Sequence, residues 1–337
     1  ISLFLSIISL IGIWATVGLR NMLLHLWIPI SVIFLGIIGL EGFDKEAQGI
    51  IYEGESAYNY IQVQRINDYN ILRLNEGQGI HSIAHPTRLN FNGPWEQVIS
   101  APFFNPSPVE ISQVERIAIL GLAGGTSAIQ SKLAFPKSII DGFEIDKKII
   151  DTGINYFGLD QDETNIYIED ARWGISHSRN QYQIISVDAY TPPYIPWHLT
   201  TKEFFSEVFT HLSHDGGLVI NVARIFEERG LLNSLYSTIN SVFPSTYIID
   251  LPDTFNSIIF ATKSPTSEKN LIENYLNLQS TPDIHPLVFS ALETTILNAK
   301  PSPQDGVIFT DDRAPVEWVT NEMILNFLFK EGIEVLQ

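Results

Sequence analysis

The stretch Arg116-Ile-Ala-Ile-Leu-Gly-Leu-Ala-Gly-Gly125 decides the fold class. Its first five residues read as a short buried strand, the glycines as a turn, and the residues to about Ala134 as a helix. The same alternation continues downstream. Strands are expected at Ser138 to Phe143, ending in Glu144, and at Asn165 to Ile168, ending in Glu169-Asp170. Further strands are expected at Tyr182 to Val187, ending in Asp188, and at Gly217 to Val222. Helices are expected at Lys147 to Tyr156, Thr200 to Leu212 and near Gly230 to Val242. Strands alternating with helices imply a parallel sheet covered on both faces. The last two strands, Thr246 to Leu251 and Ser257 to Thr262, are too close for a helical crossover, so they form an antiparallel hairpin.

That pattern is an α/β protein with a methyltransferase-like Rossmann fold. Upstream, Tyr58 to Ile66, Asn70 to Leu74 and Ile80 to Ala84 are rich in β-formers and are separated by Asn67-Asp68 and Glu76-Gly77. They read as a small antiparallel β unit. Residues Asn90 to Glu110, with many Pro, Asn and Gly, read as a connecting segment. The N-terminus differs in kind. No residue from Ile1 to Leu19 is charged, and none from Leu23 to Leu40. Each run has about the 17–25 residues a membrane span needs, so a transmembrane helical hairpin, the end of a longer membrane region, is expected. A signal peptide would instead have a single apolar core, a basic start and a small-residue cleavage site. The expected domains are 1–40 in the membrane, 41–110 linker and β unit, and 111–337 the Rossmann-like domain. Arg20 taken alone would place the short loop inside and the C-terminal part outside. One arginine is too little to fix orientation, and the expectation is a multi-pass protein of the bacterial inner membrane with a cytoplasmic catalytic domain.

The formal net charge of −18 argues against nucleic-acid partners, which need cationic contacts to phosphate. It is compatible with a cationic small molecule. With no cysteine in the 337 residues, disulfides, thiolate nucleophiles and cysteine-ligated metals are excluded. The histidines show no metal-ligand spacing, and no metal is expected.

The candidate chemistry lies on one edge. Gly121, Gly124 and Gly125 lie between strand and helix, where backbone amides can meet a ligand. Glu144 ends the second strand about 20 residues on, where a carboxylate can accept both hydroxyls of a ribose. Asp146 reads better as the cap of the next helix. Asp170 and Asp188 end the third and fourth strands. Ligands of open α/β sheets sit at this carboxyl edge, so a nucleotide site is expected there.

Taken together, Ile119-Leu-Gly-Leu-Ala-Gly-Gly-Thr126, Gly142-Phe-Glu-Ile-Asp146, Glu169-Asp-Ala-Arg172, Val187-Asp-Ala-Tyr190 and Leu199-Thr-Thr-Lys-Glu-Phe204 resemble the spermidine/spermine synthase family. Glu55-Ser-Ala-Tyr-Asn-Tyr60, the Leu74-to-Ser82 turn and Thr310-Asp-Asp-Arg-Ala-Pro-Val-Glu317 resemble its bacterial members fused to a membrane domain. The resemblance covers roughly Gly49 to Asn326. It implies transfer of an aminopropyl group from decarboxylated S-adenosylmethionine to a polyamine, with no permanently bound cofactor and with a homodimer as a possible assembly. Glu144 would hold the ribose, Asp170 with Ala171 the adenine, and Asp188 would be the general base. Gly121, Gly124, Gly125 and Ile145 complete the nucleotide side, and Tyr190 lies on the acceptor side.

The chain also departs from the family. An aspartate of the glycine loop matches Ala123, and a second aspartate after the base matches Thr191. A tyrosine of the amine pocket matches Trp95, and two glutamines match Asn59 and His81. The nucleotide half is retained and the amine half is altered. Two other readings follow: an S-adenosylmethionine-dependent methyltransferase, and a non-catalytic nucleotide-binding domain of a membrane protein. Thr310 to Arg313 reads either as part of the active-site rim or as a charged cap for a helix starting near Pro315, the cap being favoured, and Asn321 to Phe329 reads as packing.

Overall fold

The computed structural model describes residues 2–40, 49–75, 79–191, 194–224, 228–303 and 305–331. It divides into two units, Ile1–Gly49 and Ile50–Gln337. In the first, α1 (Ser2–Val17), α2 (Leu19–Leu24) and α3 (Trp27–Leu40) follow one another. This corrects the expected pair of spanning helices. Gly18, at φ +89°, breaks the first apolar run, and a turn at His25-Leu26 separates α2 from α3. The remaining helices have 16 and 14 residues, about 24 and 21 Å of rise against a hydrocarbon core of about 30 Å. Among the described residues no helix is long and apolar enough to cross a membrane.

The second unit opens with an antiparallel sheet of β1 (Ile50–Glu55), β2 (Tyr60–Ile66), β3 (Tyr69–Leu74) and β4 (Ser82–Ala84), in that order. Asn67 and Asp68, both at positive φ, make the β2–β3 turn, a conformation that asparagine and aspartate tolerate. Ile61, Val63, Leu72 and Leu74 form its buried face together with Ile149 and Phe157 of the larger domain.

The larger domain contains β5 (Arg116–Leu120), α4 (Thr126–Ala134), β6 (Ile139–Phe143), α5 (Lys147–Thr152), β7 (Thr164–Tyr167), α6 (Ala171–His177) and β8 (Tyr182–Val187). It continues through α7 (Lys202–His211), β9 (Leu212–Ala223), α8 (Gly230–Asn240), β10 (Ser245–Asp250) and β11 (Asn256–Thr262). The last elements are α9 (Glu268–Gln279), α10 (Pro286–Leu297), β12 (Ala299–Lys300) and α11 (Val316–Glu331). Sheet order is β12-β10-β11-β9-β8-β5-β6-β7. The strands from β7 to β9 are parallel, while β11, β10 and β12 are antiparallel to their neighbours. The sheet is the expected parallel one ending in a hairpin.

Its strands are apolar on both faces because both faces are covered. Ala118, Leu120, Ile185, Val187, Leu218 and Ile220 enter one core, and Ile117, Ile119, Ile184 and Val219 enter the other. Side chains cap three helix starts: Asp146 for α5, Asp170 for α6 and Thr201 for α7. Asp146 therefore has the capping role expected of it.

The segment Asn90 to Glu110 is more than a connection. Glu96–Phe104 is a 3-10 helix whose nine residues are all buried, and Val98, Ile99, Ala101, Phe103 and Phe104 enter the second core. The Glu96 carboxylate accepts from the amides of Phe91 and Gly93 and from Gln130 Nε2, which satisfies a buried acid inside an apolar layer.

Candidate active site

Beyond β5 the chain turns at Gly121, whose φ is +93°. A Cβ there would lie 2.5 Å from the Asp188 carbonyl oxygen and 2.7 Å from Ala189 Cα. Only glycine lets the turn after β5 and the turn after β8 touch. Gly124 donates its amide to Ser82 Oγ at 2.8 Å, so β4 of the small sheet closes over the loop. Gly125, at φ +92°, starts α4 and packs against Leu159.

Glu144 sits beside this loop, nearly buried. One carboxylate oxygen accepts from the Ala123 amide at 3.0 Å and the other from the Asp146 amide at 3.1 Å. Each oxygen keeps a lone pair for a further donor. Burial, reinforced by nearby Asp146, pushes the carboxyl up to about 7 despite these hydrogen bonds. Ala123 holds a positive φ of 49°, which places its amide on Glu144. Ile145, next in sequence, is exposed at the same edge.

Asn59 and His81 come from the small sheet. Asn59 Nδ2 donates to Asp146 Oδ2 at 3.1 Å and its Oδ1 accepts from Asn75 at 3.1 Å, so its amide braces the capping carboxylate. Ser56 Oγ donates to the same Asp146 oxygen. The His81 Nε2 is buried with no partner among the described residues, and burial beside Arg73 pulls the ring's pKa down to about 4. His81 is thus neutral at physiological pH.

Asp170 caps α6 by accepting from the Trp173 amide at 2.9 Å and binds His198 Nε2 at 2.9 Å. The hydrogen bond from His198 holds its carboxyl below the usual range. Ala171 starts the helix and is buried in the first core. Behind them Arg172 joins Glu207 at 2.7 Å and Asp311 at 2.8 Å, which ties the Thr310–Arg313 turn to α6 and α7.

Among the described residues, Asp188 receives one side-chain hydrogen bond, from Asn221 Nδ2 at 2.9 Å. Burial pushes its carboxyl up to about 6, and Asn221 opposes that rise. The Tyr190 hydroxyl donates to the Asn221 carbonyl at 3.0 Å and accepts from the Ala223 amide at 2.9 Å. Its phenol is thereby committed to β9 backbone. Thr191 is exposed and pairs its backbone with Tyr194. Trp95 is buried, edge-on to Phe91. Glu144, Ala123, Asp146 and Asn59 thus form one connected group, and Gly121, Asp188, Tyr190 and Asn221 a second that meets it through the loop.

Three residues of this edge escaped the sequence reading. Ser82 and His198 lie in loop and strand-end contexts with no spacing signal. Asn221 had one: a lone amide inside the apolar strand Leu218 to Val222.

Comparison with known proteins is consistent with this geometry. The spermine/spermidine synthase domain model matches residues 109–274. A polyamine aminopropyltransferase of Vibrio vulnificus is 31% identical over 240 residues, covering 66% of this chain and 75% of that protein. The chain belongs to the spermine/spermidine synthase family. A probable polyamine aminopropyl transferase of Bifidobacterium longum is 33% identical over 303 residues, and this family member covers 66% of its length with 85% of its own. A probable spermidine synthase structure from Corynebacterium glutamicum superposes with a TM-score of 0.58 at 18% identity, covering 76% of this chain and 96% of that one. That likeness supports the fold.

Proposed function

We propose that the chain transfers an aminopropyl group from decarboxylated S-adenosylmethionine to a polyamine, as the names of its Vibrio and Bifidobacterium relatives suggest. The observation that carries the reading is the pairing of two dissimilar carboxylates at one sheet edge. Glu144, braced by two loop amides, offers free lone pairs to a ribose; Asp188 stands apart on the next turn with a single amide donor. The amine nitrogen attacks the carbon beside the sulfonium, the C–S bond breaks, and the electron pair leaves with methylthioadenosine. Asp188 takes the proton that the amine sheds. A sulfonium is already a good leaving group, so neither a metal nor a covalent intermediate is required. Ile145 and Asp170 with Ala171 are assigned to the adenine, His81 to the donor's tail, and Trp95 and Thr191 to the acceptor side.

Mass spectrometry of the products formed with each donor and a panel of amines tests this directly. An aminopropylated amine plus methylthioadenosine is expected. Ala123 favours a second reading, because the methyl group at this loop position cannot pair with a cationic donor tail. A methylated product with S-adenosylmethionine would select that alternative.

Binding of methylthioadenosine should weaken by about 1.5–3 kcal/mol in Glu144→Ala, the size of a hydrogen bond to a charged group. Calorimetry measures it, and unchanged affinity in a folded variant removes Glu144 from the ribose.

We also propose that the N-terminal unit associates with a membrane, with the catalytic domain on the cytoplasmic side of a bacterial inner membrane. Phe4, Ile8, Ile11, Trp14, Leu24, Trp27 and Ile30 are exposed on helices whose single charge is Arg20. A surface this apolar is unusual for a protein bathed in water. The full chain is expected to need detergent, and a chain beginning at Gly42 to stay monodisperse without it. A monodisperse full chain in plain buffer overturns this.

A further inference from the structure

Asn221 lies in the middle of β9, among Leu218, Val219, Ile220 and Val222, which are all buried in the two cores. An amide in such a strand is costly unless its polar atoms are paired. Its Nδ2 is paired, donating to Asp188 Oδ1 at 2.9 Å. Its Oδ1 is buried and has no hydrogen-bond partner among the described residues. Turning the amide over would not help, because Oδ1 would then face the Asp188 carboxylate. The backbone around it is also committed, since the Tyr190 hydroxyl bridges the Asn221 carbonyl and the Ala223 amide. Among the described residues, Asn221 Oδ1 is therefore an unpartnered acceptor beside the candidate base, held in a fixed direction.

We propose that Asn221 Oδ1 is the second acceptor of the amine subsite, binding one N–H of a primary amine or ammonium while Asp188 binds another. A primary ammonium has three donors and no acceptor. A carboxylate and an orphan carbonyl side by side, with no cation pairing to Asp188 among the described residues, suit such a group and leave a hydroxyl or carboxylate ligand poorly served. The Asn221 Nδ2 meanwhile positions the carboxylate. This deepens the aminopropyl-transfer reading and rests on it. It also supplies an acceptor contact in a pocket where Thr191 replaces the family's aspartate.

The test uses the full chain saturated with methylthioadenosine, titrated with 1,4-diaminobutane in a calorimeter, beside steady-state rates against pH. Asn221→Ala should weaken the diamine about 10–100-fold, the effect of one hydrogen bond to a charged group. Methylthioadenosine affinity should stay within about twofold of wild type. The acid limb of kcat/KM should move to higher pH, because Nδ2 stabilises ionised Asp188 and its loss leaves burial unopposed. Tyr190 is the titratable neighbour coupled to Asp188, and burial raises it, so it remains neutral across this range. A residue that merely packs would lower stability without moving that limb. Should Asn221→Ala not fold, the isosteric Asn221→Asp keeps an acceptor and removes the donor: diamine binding should persist while the limb rises. Diamine affinity and acid limb both equal to wild type in Asn221→Ala, or an unmoved limb in Asn221→Asp, overturns the proposal and leaves aminopropyl transfer standing. A wild type that neither binds nor aminopropylates any amine overturns both.

Discussion

Asp188→Asn is expected to lower turnover by about 10²–10⁴-fold, the usual contribution of a positioned general base. Methylthioadenosine affinity should be unchanged, because Glu144 and the glycine loop, proposed to hold the nucleotide, stay intact. Asparagine keeps the shape of the side chain and a hydrogen bond with Asn221 remains possible. It can neither take the amine proton nor balance an ammonium. The pH dependence adds a second check. The base must be ionised to act, and burial raises the Asp188 carboxyl to about 6. Activity of the wild type should therefore be full above that value and fall as pH drops through it. The deficit should appear in kcat rather than in donor KM. Turnover of Asp188→Asn within a few-fold of wild type, with an amine that wild type uses, would exclude the mechanism.

Gly121→Ala should act through the backbone. A residue other than glycine at φ +93° costs roughly 1–2 kcal/mol. The added methyl would also lie 2.5 Å from the Asp188 carbonyl and 2.7 Å from the Ala189 amide, neither of which can rotate away. Overpacking of that kind costs about 1–3 kcal/mol. A total loss of about 2–5 kcal/mol is expected in urea unfolding. The molecules that remain folded should turn over slowly, because relief of the contact displaces the peptide that carries Asp188. Stability within about 0.5 kcal/mol of wild type together with full turnover would show that the two turns are not in contact.

Much of the fold was legible because local signals and tertiary packing agree. Strands β5 to β10 alternate with helices and are apolar enough to lie inside a covered sheet. Asp146 announces a helix start in the sequence and caps it in the structure, whereas the caps Asp170 and Thr201 emerge only in the structure. Glu144 and Asp188 were readable for a related reason: a polar residue that ends an apolar strand of a parallel sheet must emerge at the carboxyl edge. Other parts were not readable. Glu96–Phe104 looked like a connection because its Pro, Asn and Gly neighbours mask an apolar run, and its buried acid finds a partner in the distant Gln130. The N-terminal runs met the length rule for a membrane span, yet the break at Gly18 and the His25-Leu26 turn divide them.

The sequence by itself determined that a parallel sheet ends in a hairpin, where the glycine turn falls and which carboxylates reach the carboxyl edge of the sheet. These follow from periodicity, glycine's freedom at positive φ and the geometry of strand ends, all of which act over a few neighbouring residues. Tertiary structure alone decided what those carboxylates touch. Ser82 meets Gly124 across 42 residues, His198 meets Asp170 across 28 and Asn221 meets Asp188 across 33. No local propensity encodes such pairings. They arise where packed elements bring distant polar groups together, and burial and the partners they meet there then set their protonation.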